Sequence, residues 1–131
     1  MKHEVRIVGG QWKRSKLAVP DRPGLRPTPD RVRETLFNWL GQDLTGWRVL
    51  DAFAGSGALG FEAASRGAGP VVLLERDPAL ARGLDAARQR LGAGTLAVHQ
   101  GDALAWMTGA AAATARFDLV LLDPPFDAGL H

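Results

Sequence analysis

Two stretches carry residue types whose spacing suits chemistry: Asp123-Pro-Pro-Phe126, and Asp51-Ala-Phe-Ala-Gly-Ser-Gly-Ala-Leu-Gly60. Asp123, Pro124, Pro125 and Phe126 follow the apolar run Leu119-Val-Leu-Leu122. Consecutive prolines fix the backbone and remove two N–H donors, leaving carbonyl oxygens and the Asp123 carboxylate as the available groups. An aryl amine, such as that of a nucleobase, is a weak nucleophile because its lone pair is delocalised into the ring. The Asp123 carboxylate and the Pro124 carbonyl can accept both amine hydrogens and turn that lone pair toward an electrophile, with the rigid backbone supplying preorganisation. Phe126 offers a face on which an extruded base can stack. The plainer alternative is an Asp-Pro-Pro turn followed by a core phenylalanine.

The second stretch sits where a strand becomes a helix. Its Gly55, Gly57 and Gly60 let the backbone turn sharply and let a ligand approach the main chain, while the helix N-terminus supplies free N–H groups. Alone, this spacing equally suits a dinucleotide. Asp51 places a carboxylate beside the loop, where it would repel a pyrophosphate but not a cationic sulfonium amino acid. Glu75 ends the next strand, where a carboxylate can accept both hydroxyls of a ribose; the alternative is a helix cap or a surface acid. Asp102, in Gly101-Asp-Ala103, can accept from the exocyclic amine of adenine or serve as a helix N-cap.

These groups need a scaffold, and the pattern of apolar residues describes one. Glu4 to Val8 and Trp12 to Leu17 suggest a small hairpin turning at Gly9-Gly10. The prolines between 20 and 29 make an irregular connector. A helix is expected with Thr28 as N-cap, Pro29 at its first position and Asp30 in its first turn, ending at Gly41. Its apolar face would be Val32, Leu36, Trp39 and Leu40, with Arg31, Arg33 and Glu34 pointing elsewhere. Strands are then expected at 48–53, 71–75, 95–99 and 117–122, and helices at 57–66, from Asp77-Pro78 (with Leu80, Leu84, Ala87 and Leu91 as a stripe), and at 103–107. That alternation predicts an α/β fold with a parallel, Rossmann-like sheet and right-handed crossovers. In a doubly wound sheet the first and fourth of these strands flank the switch point where ligands bind. The tetrapeptide after the fourth and the glycine loop after the first thus make a specific pair.

Bulk properties narrow the setting. At 131 residues, 46% hydrophobic and 23% charged, the chain has the size and make-up of one globular domain. It has no run long enough to span a bilayer and no signal-peptide pattern at its start. Zero cysteines exclude disulfides and thiolate metal sites, and three scattered histidines offer no ligand spacing, so no metal is expected. Net charge is +2, unevenly spread: residues 1–48 hold ten Lys/Arg against five Asp/Glu, and residues 49–131 six against nine. A basic arm (1–46) on an acidic, apolar core (47–131) suits a polyanionic partner.

Taken together, Arg6-Ile-Val-Gly-Gly10, Leu25-Arg-Pro-Thr28, Asp30-Arg-Val-Arg-Glu-Thr-Leu-Phe-Asn-Trp-Leu40, the glycine loop and Asp123-Pro-Pro-Phe126 resemble the RsmD family of bacterial 16S rRNA guanine-N2 methyltransferases. The resemblance implies a class I methyltransferase fold with S-adenosyl-L-methionine as cofactor, held by Asp51, Ala52, Phe53, Gly55, Gly57, Glu75, Arg76, Asp102 and Ala103. It implies that Asp123 to Phe126 hold the target guanine, and that Arg6, Lys13, Arg14, Arg26, Thr28 and Arg33 face RNA or close over the site. The expected partner is 16S rRNA or an assembling small subunit, met by a monomer in the cytoplasm, away from membranes. Members of that family continue past the tetrapeptide into a further helix and strands, so the resemblance implies a chain lacking the C-terminal part, with residues 117–122 as an exposed hydrophobic edge. Adenine or cytosine amines as targets, a silent cofactor- and RNA-binding remnant, and a dinucleotide oxidoreductase are the competing expectations.

Overall fold

The computed structural model of the chain describes residues 3–19, 29–108 and 116–122. At the N-terminus, β1 (His3–Arg6) and β2 (Lys16–Val19) pair antiparallel, with Val5 opposite Leu17. Val5, Leu17 and Val19 are buried while Glu4, Arg6, Lys16 and Ala18 face outward, the period of a half-buried hairpin. The second strand begins later than its sequence pattern suggests. Gly10 (φ 82°) and Arg14 (φ 75°) turn residues 10–14 away from the strand path. The N–H groups of Gln11 and Trp12 donate to the carbonyl and Oγ of Ser65 (2.8 and 2.9 Å) rather than across the hairpin.

Gly10 is required there twice over. A Cβ at that position would lie 2.0 Å from the Ser65 carbonyl oxygen, and its φ favours glycine. Gly10→Ala is therefore expected to cost at least about 1–3 kcal/mol from backbone strain alone. The measurement is a urea titration; a midpoint equal to that of the parent would contradict the packing described.

Helix α1 (Asp30–Leu40) starts one residue later than expected, with Pro29 at the N-cap position and no side-chain cap, and it stops at Gly41. Thr28 lies outside the described residues. The inward face also differs. Arg33 and Phe37 are fully buried and Leu36 and Leu40 pack beside them, whereas Val32 and Trp39 are 53% and 83% exposed. An apolar-periodicity count misses this stripe because it excludes a charged residue whose charge is neutralised inside the protein.

The remaining elements alternate: β3 (Val49–Asp51), α2 (Ala58–Ser65), β4 (Val71–Glu75), α3 (Pro78–Leu91), β5 (Leu96–Gln100), α4 (Ala103–Thr108) and β6 (Leu119–Leu121). All four strands are parallel, in the order β5-β4-β3-β6. The chain moves outward from β3 to β5 and then returns to the other side of β3. The junction of β3 and β6 is thus the switch point of an open α/β sheet. Val49, Val71, Leu73, Leu96 and Leu121 join one core with Phe37, Phe61 and Leu84, under α1, α2 and α3. Leu50 and Leu74 face the opposite side, with Ala103, Trp106 and Phe117 against them. Helices on both faces explain why β3 and β4 read as nearly unbroken apolar runs.

Local signals hold the helices in place. Asp77 caps α3 by accepting from Ala79 N (2.8 Å) and Leu80 N (3.4 Å), and Pro78 occupies its first turn. Leu80 and Leu84 are buried, with Ala87 and Leu91 partly so, which is the expected stripe. All eight residues of α2 are buried. Gly60 permits that depth, because a Cβ there would fall 2.1 Å from Leu73 Cδ2. Ahead of β3, Asp43 accepts from Thr45 Oγ1 (2.5 Å) and Thr45 N (3.0 Å), hydrogen bonds that hold its carboxyl below the ordinary value. Among the described residues β6 ends the sheet on one side, with Val120 and Leu122 exposed (44% and 63%).

Candidate functional site

Three neighbouring strands each end in a carboxylate: Asp51 on β3, Glu75 on β4, and Asp102 two residues beyond β5. Backbone bonds tie these ends together. Ala54 N donates to Leu74 O (2.9 Å), Gly101 N to Glu75 O (2.9 Å) and Ala52 N to Leu121 O (3.1 Å). The loops after β3, β4 and β5 and the C-terminal end of β6 therefore lie at one edge of the sheet, the carboxyl edge, where open α/β sheets take their ligands.

Glu75 is the organiser of that edge. Its Oε1 accepts from Gly55 N (2.9 Å) in the glycine loop and its Oε2 from Asp77 N (2.8 Å) at the start of α3. Each carboxylate oxygen has two lone pairs, so both retain capacity for a further donor. Glu75 is half-buried between the two loops.

Asp51 ends β3 beside the glycine loop. It is 1% exposed, and its Oδ2 accepts from Gly60 N (3.1 Å), within the first turn of α2. That bond braces the glycine loop from beneath. Asp102 caps α4, accepting from Ala105 N through Oδ2 (2.9 Å), and stays exposed. Of the other positions assigned to the cofactor, Phe53, Gly55 and Arg76 present surface, while Ala52, Gly57 and Ala103 are buried. The positions implied by the sequence thus divide into a surface set, Phe53, Gly55, Glu75, Arg76 and Asp102, and a buried set, Asp51, Ala52, Gly57 and Ala103. Carboxylate acceptors at the ends of three strands, beside a glycine-rich loop, suit the hydroxyls and amines of an adenosine linked to an amino acid. That donor set fits S-adenosylmethionine. Among the described residues no His/Cys/Asp/Glu cluster suits a metal ion, and no helix is long and apolar enough to cross a membrane.

The expected amine-holding residues Asp123, Pro124, Pro125 and Phe126 lie outside the described residues, as do Arg26 and Thr28. The strand that leads to the tetrapeptide is described: Leu121 is the register partner of Asp51. On the basic arm, Arg6, Lys13 and Arg14 are exposed. Arg33 must be corrected. It does not face outward, being fully buried and ion-paired with Glu62 (2.9 Å) and Asp30. Its guanidinium also donates to the Arg6 carbonyl (2.7 Å).

Glu62, Ser65 and Arg66 escaped the sequence argument. All three are buried at the end of α2, with Arg66 bonded to Glu62 (2.9 Å) and set 5.0 Å over the Phe37 ring. A signal was present: the segment 58–66 is apolar on every side, so the polar residues within it had to be buried and hence paired.

Comparison with known proteins agrees with this architecture. The family model described as "Conserved hypothetical protein 95" matches residues 5–131. The chain is 48% identical over 127 residues to ribosomal RNA small subunit methyltransferase D of Escherichia coli K12, covering 97% of this chain and 63% of that protein. The Haemophilus influenzae protein of the same name is 46% identical, with 95% and 65% covered. The chain therefore spans somewhat under two thirds of the length of these curated relatives. A solved Escherichia coli structure, provisionally named a methyltransferase, superposes with a TM-score of 0.84 at 46% identity, covering 98% of this chain and 68% of that one. An RNA methyltransferase from Salinibacter ruber, solved with S-adenosyl-L-homocysteine, gives 0.54 at 25% identity, covering 61% and 52%. The parallel sheet, its switch point and these neighbours make the fold that of a class I S-adenosylmethionine-dependent methyltransferase, and the chain belongs to the conserved hypothetical protein 95 family, the RsmD family that its sequence resembles.

Proposed function

We propose that this chain carries the cofactor pocket and the amine-holding loop of an S-adenosylmethionine-dependent methyltransferase that acts on guanine N2 in 16S ribosomal RNA. The observation that carries the proposal is the pairing of β3 with β6. Leu121 lies in register with Asp51, so the sequence entering Asp123-Pro-Pro-Phe126 starts from the edge that bears the glycine loop. Bound there, the cofactor would supply an electrophilic methyl group. Glu75 would hold its ribose, the Gly55 loop its amino-acid end, and Asp102 its adenine amine. Asp123 and the Pro124 carbonyl would accept the two hydrogens of the target amine, and Phe126 would stack on the base. Ribosomal RNA as the target is supported by the names of the relatives and by the exposed basic residues Arg6, Lys13 and Arg14. Guanine in particular rests on the resemblance of residues 30–40 to the RsmD family.

Calorimetric titration tests the cofactor half. S-adenosylmethionine should bind saturably, be displaced by S-adenosylhomocysteine and be indifferent to NADH. Glu75→Ala should weaken binding by roughly 10- to 100-fold, the scale of losing hydrogen bonds to a charged group. NADH binding in place of S-adenosylmethionine would favour a dinucleotide oxidoreductase and sink the proposal.

A further inference from the structure

The charged cluster on α2 plays no part in the site described so far, yet two segments that carry the family resemblance converge on it. Glu62 accepts four hydrogen bonds. Its Oε1 takes Val8 N (2.8 Å) and Arg33 Nη1 (2.9 Å), and its Oε2 takes Gly9 N (2.9 Å) and Arg66 Nε (2.9 Å). Arg33 carries the connection onward to the Arg6 carbonyl and to Asp30. One turn along α2, Ser65 Oγ donates to Gly9 O (2.6 Å) and accepts from Trp12 N (2.9 Å). The far strand of the hairpin is held as well, by Arg90 of α3 donating to Lys16 O (2.6 Å).

We infer that Glu62 is a positioning residue: with Arg33, Arg66 and Ser65 it clasps the basic N-terminal hairpin to α2, so that Arg6, Lys13 and Arg14 meet the RNA backbone at a fixed place relative to the cofactor loop. Buried charge clusters add little stability over apolar packing, but their hydrogen bonds are directional and specify one arrangement. The C-terminal end of α2 holds the arm and its N-terminal end grows out of the glycine loop, so a single helix sets the distance between RNA contact and cofactor. The RNA clause rests on the proposed function; the clasp does not.

The test compares the parent chain with Glu62→Gln and with the milder Ser65→Ala, which leaves the ion cluster intact. Amide exchange should speed up at Val8 and Gly9 in Glu62→Gln, and at Gln11 and Trp12 in Ser65→Ala, with β3 and β4 protected as in the parent. Affinity for a 16S rRNA transcript should fall roughly tenfold in Glu62→Gln and less in Ser65→Ala, with S-adenosylmethionine affinity unchanged. Glu62→Asp, which keeps the charge, should recover part of the RNA affinity. Unchanged exchange at these amides, or equal loss of RNA and cofactor affinity in both variants, would overturn the inference. Failure of the parent to bind RNA would refute the substrate proposal and the RNA clause together, leaving the exchange experiment to decide the clasp.

Discussion

Asp123→Ala is expected to lower methyl transfer by about 10²–10³-fold, the scale on which loss of one preorganised polar group at a reaction centre is felt. Cofactor affinity should stay within about twofold, because the proposed function uses that carboxylate on the target amine. The reasoning is chemical. As the amine nitrogen gains its bond to carbon it becomes cationic and must release a proton, and a carboxylate accepting its N–H both aligns the lone pair and stabilises that charge. Asp123→Asn keeps one acceptor oxygen and loses the charge, so it should fall between the parent and Asp123→Ala. Single-turnover rates with saturating cofactor separate these cases. Parallel loss of cofactor affinity would show that the residue belongs to the cofactor pocket instead.

The largest expected change in stability comes from Glu62→Ala. It removes the carboxylate that the buried Arg33 and Arg66 share, and strips Val8 N and Gly9 N of their acceptor. Removing one partner of a buried pair costs about 3–5 kcal/mol, a large share of the roughly 5–15 kcal/mol that stabilises a typical domain. Arg33→Met should cost less, since Glu62 keeps Arg66. Urea denaturation gives the order directly, and a Glu62→Ala midpoint near that of the parent would mean that the cluster is solvated in solution.

The core of the fold was legible because its signals are local. Val71–Glu75 is a β-branched and leucine run buried from both sides, Asp77-Pro78 caps α3 as such a pair should, and Gly57 and Gly60 mark a helix that leaves a strand abruptly and packs close to it. Glu75 was legible for the same reason, as an acid closing an apolar strand. What the pattern misplaced depends on contacts between distant segments. Residues 12–17 read as a strand, but the N–H groups of Gln11 and Trp12 are drawn to Ser65, more than fifty positions away. Arg33 looks like a surface cation until Glu62 is seen to arrive from another helix. Periodicity on α1 then selected Val32 and Trp39 for the core, and both are exposed. Asp51 has its expected place at the end of β3, and its Oδ2 accepts from Gly60 N of α2. Only the packing of α2 against the sheet decides that.

The segment of residues 30–40 also changes meaning. As sequence it is one of the stretches that resemble the RsmD family, a resemblance that implies that Arg33 faces RNA or closes over the site. In the structure its third charged residue, Arg33, is a link in the interior, and the exposed cations nearest the hairpin turn are Lys13 and Arg14. A family-specific stretch can therefore record how an arm is fastened as much as what it touches.

The central claim is methyl transfer to guanine N2. It is tested most directly by incubating the protein and S-adenosylmethionine with 16S RNA and with immature small-subunit particles lacking the modification, followed by nuclease digestion and mass spectrometry. The account predicts N2-methylguanine at a single site in one of these substrates, absent when Asp123→Ala replaces the parent chain. Methylated adenine or cytosine, or no methylated base in either substrate despite saturable cofactor binding, would contradict it.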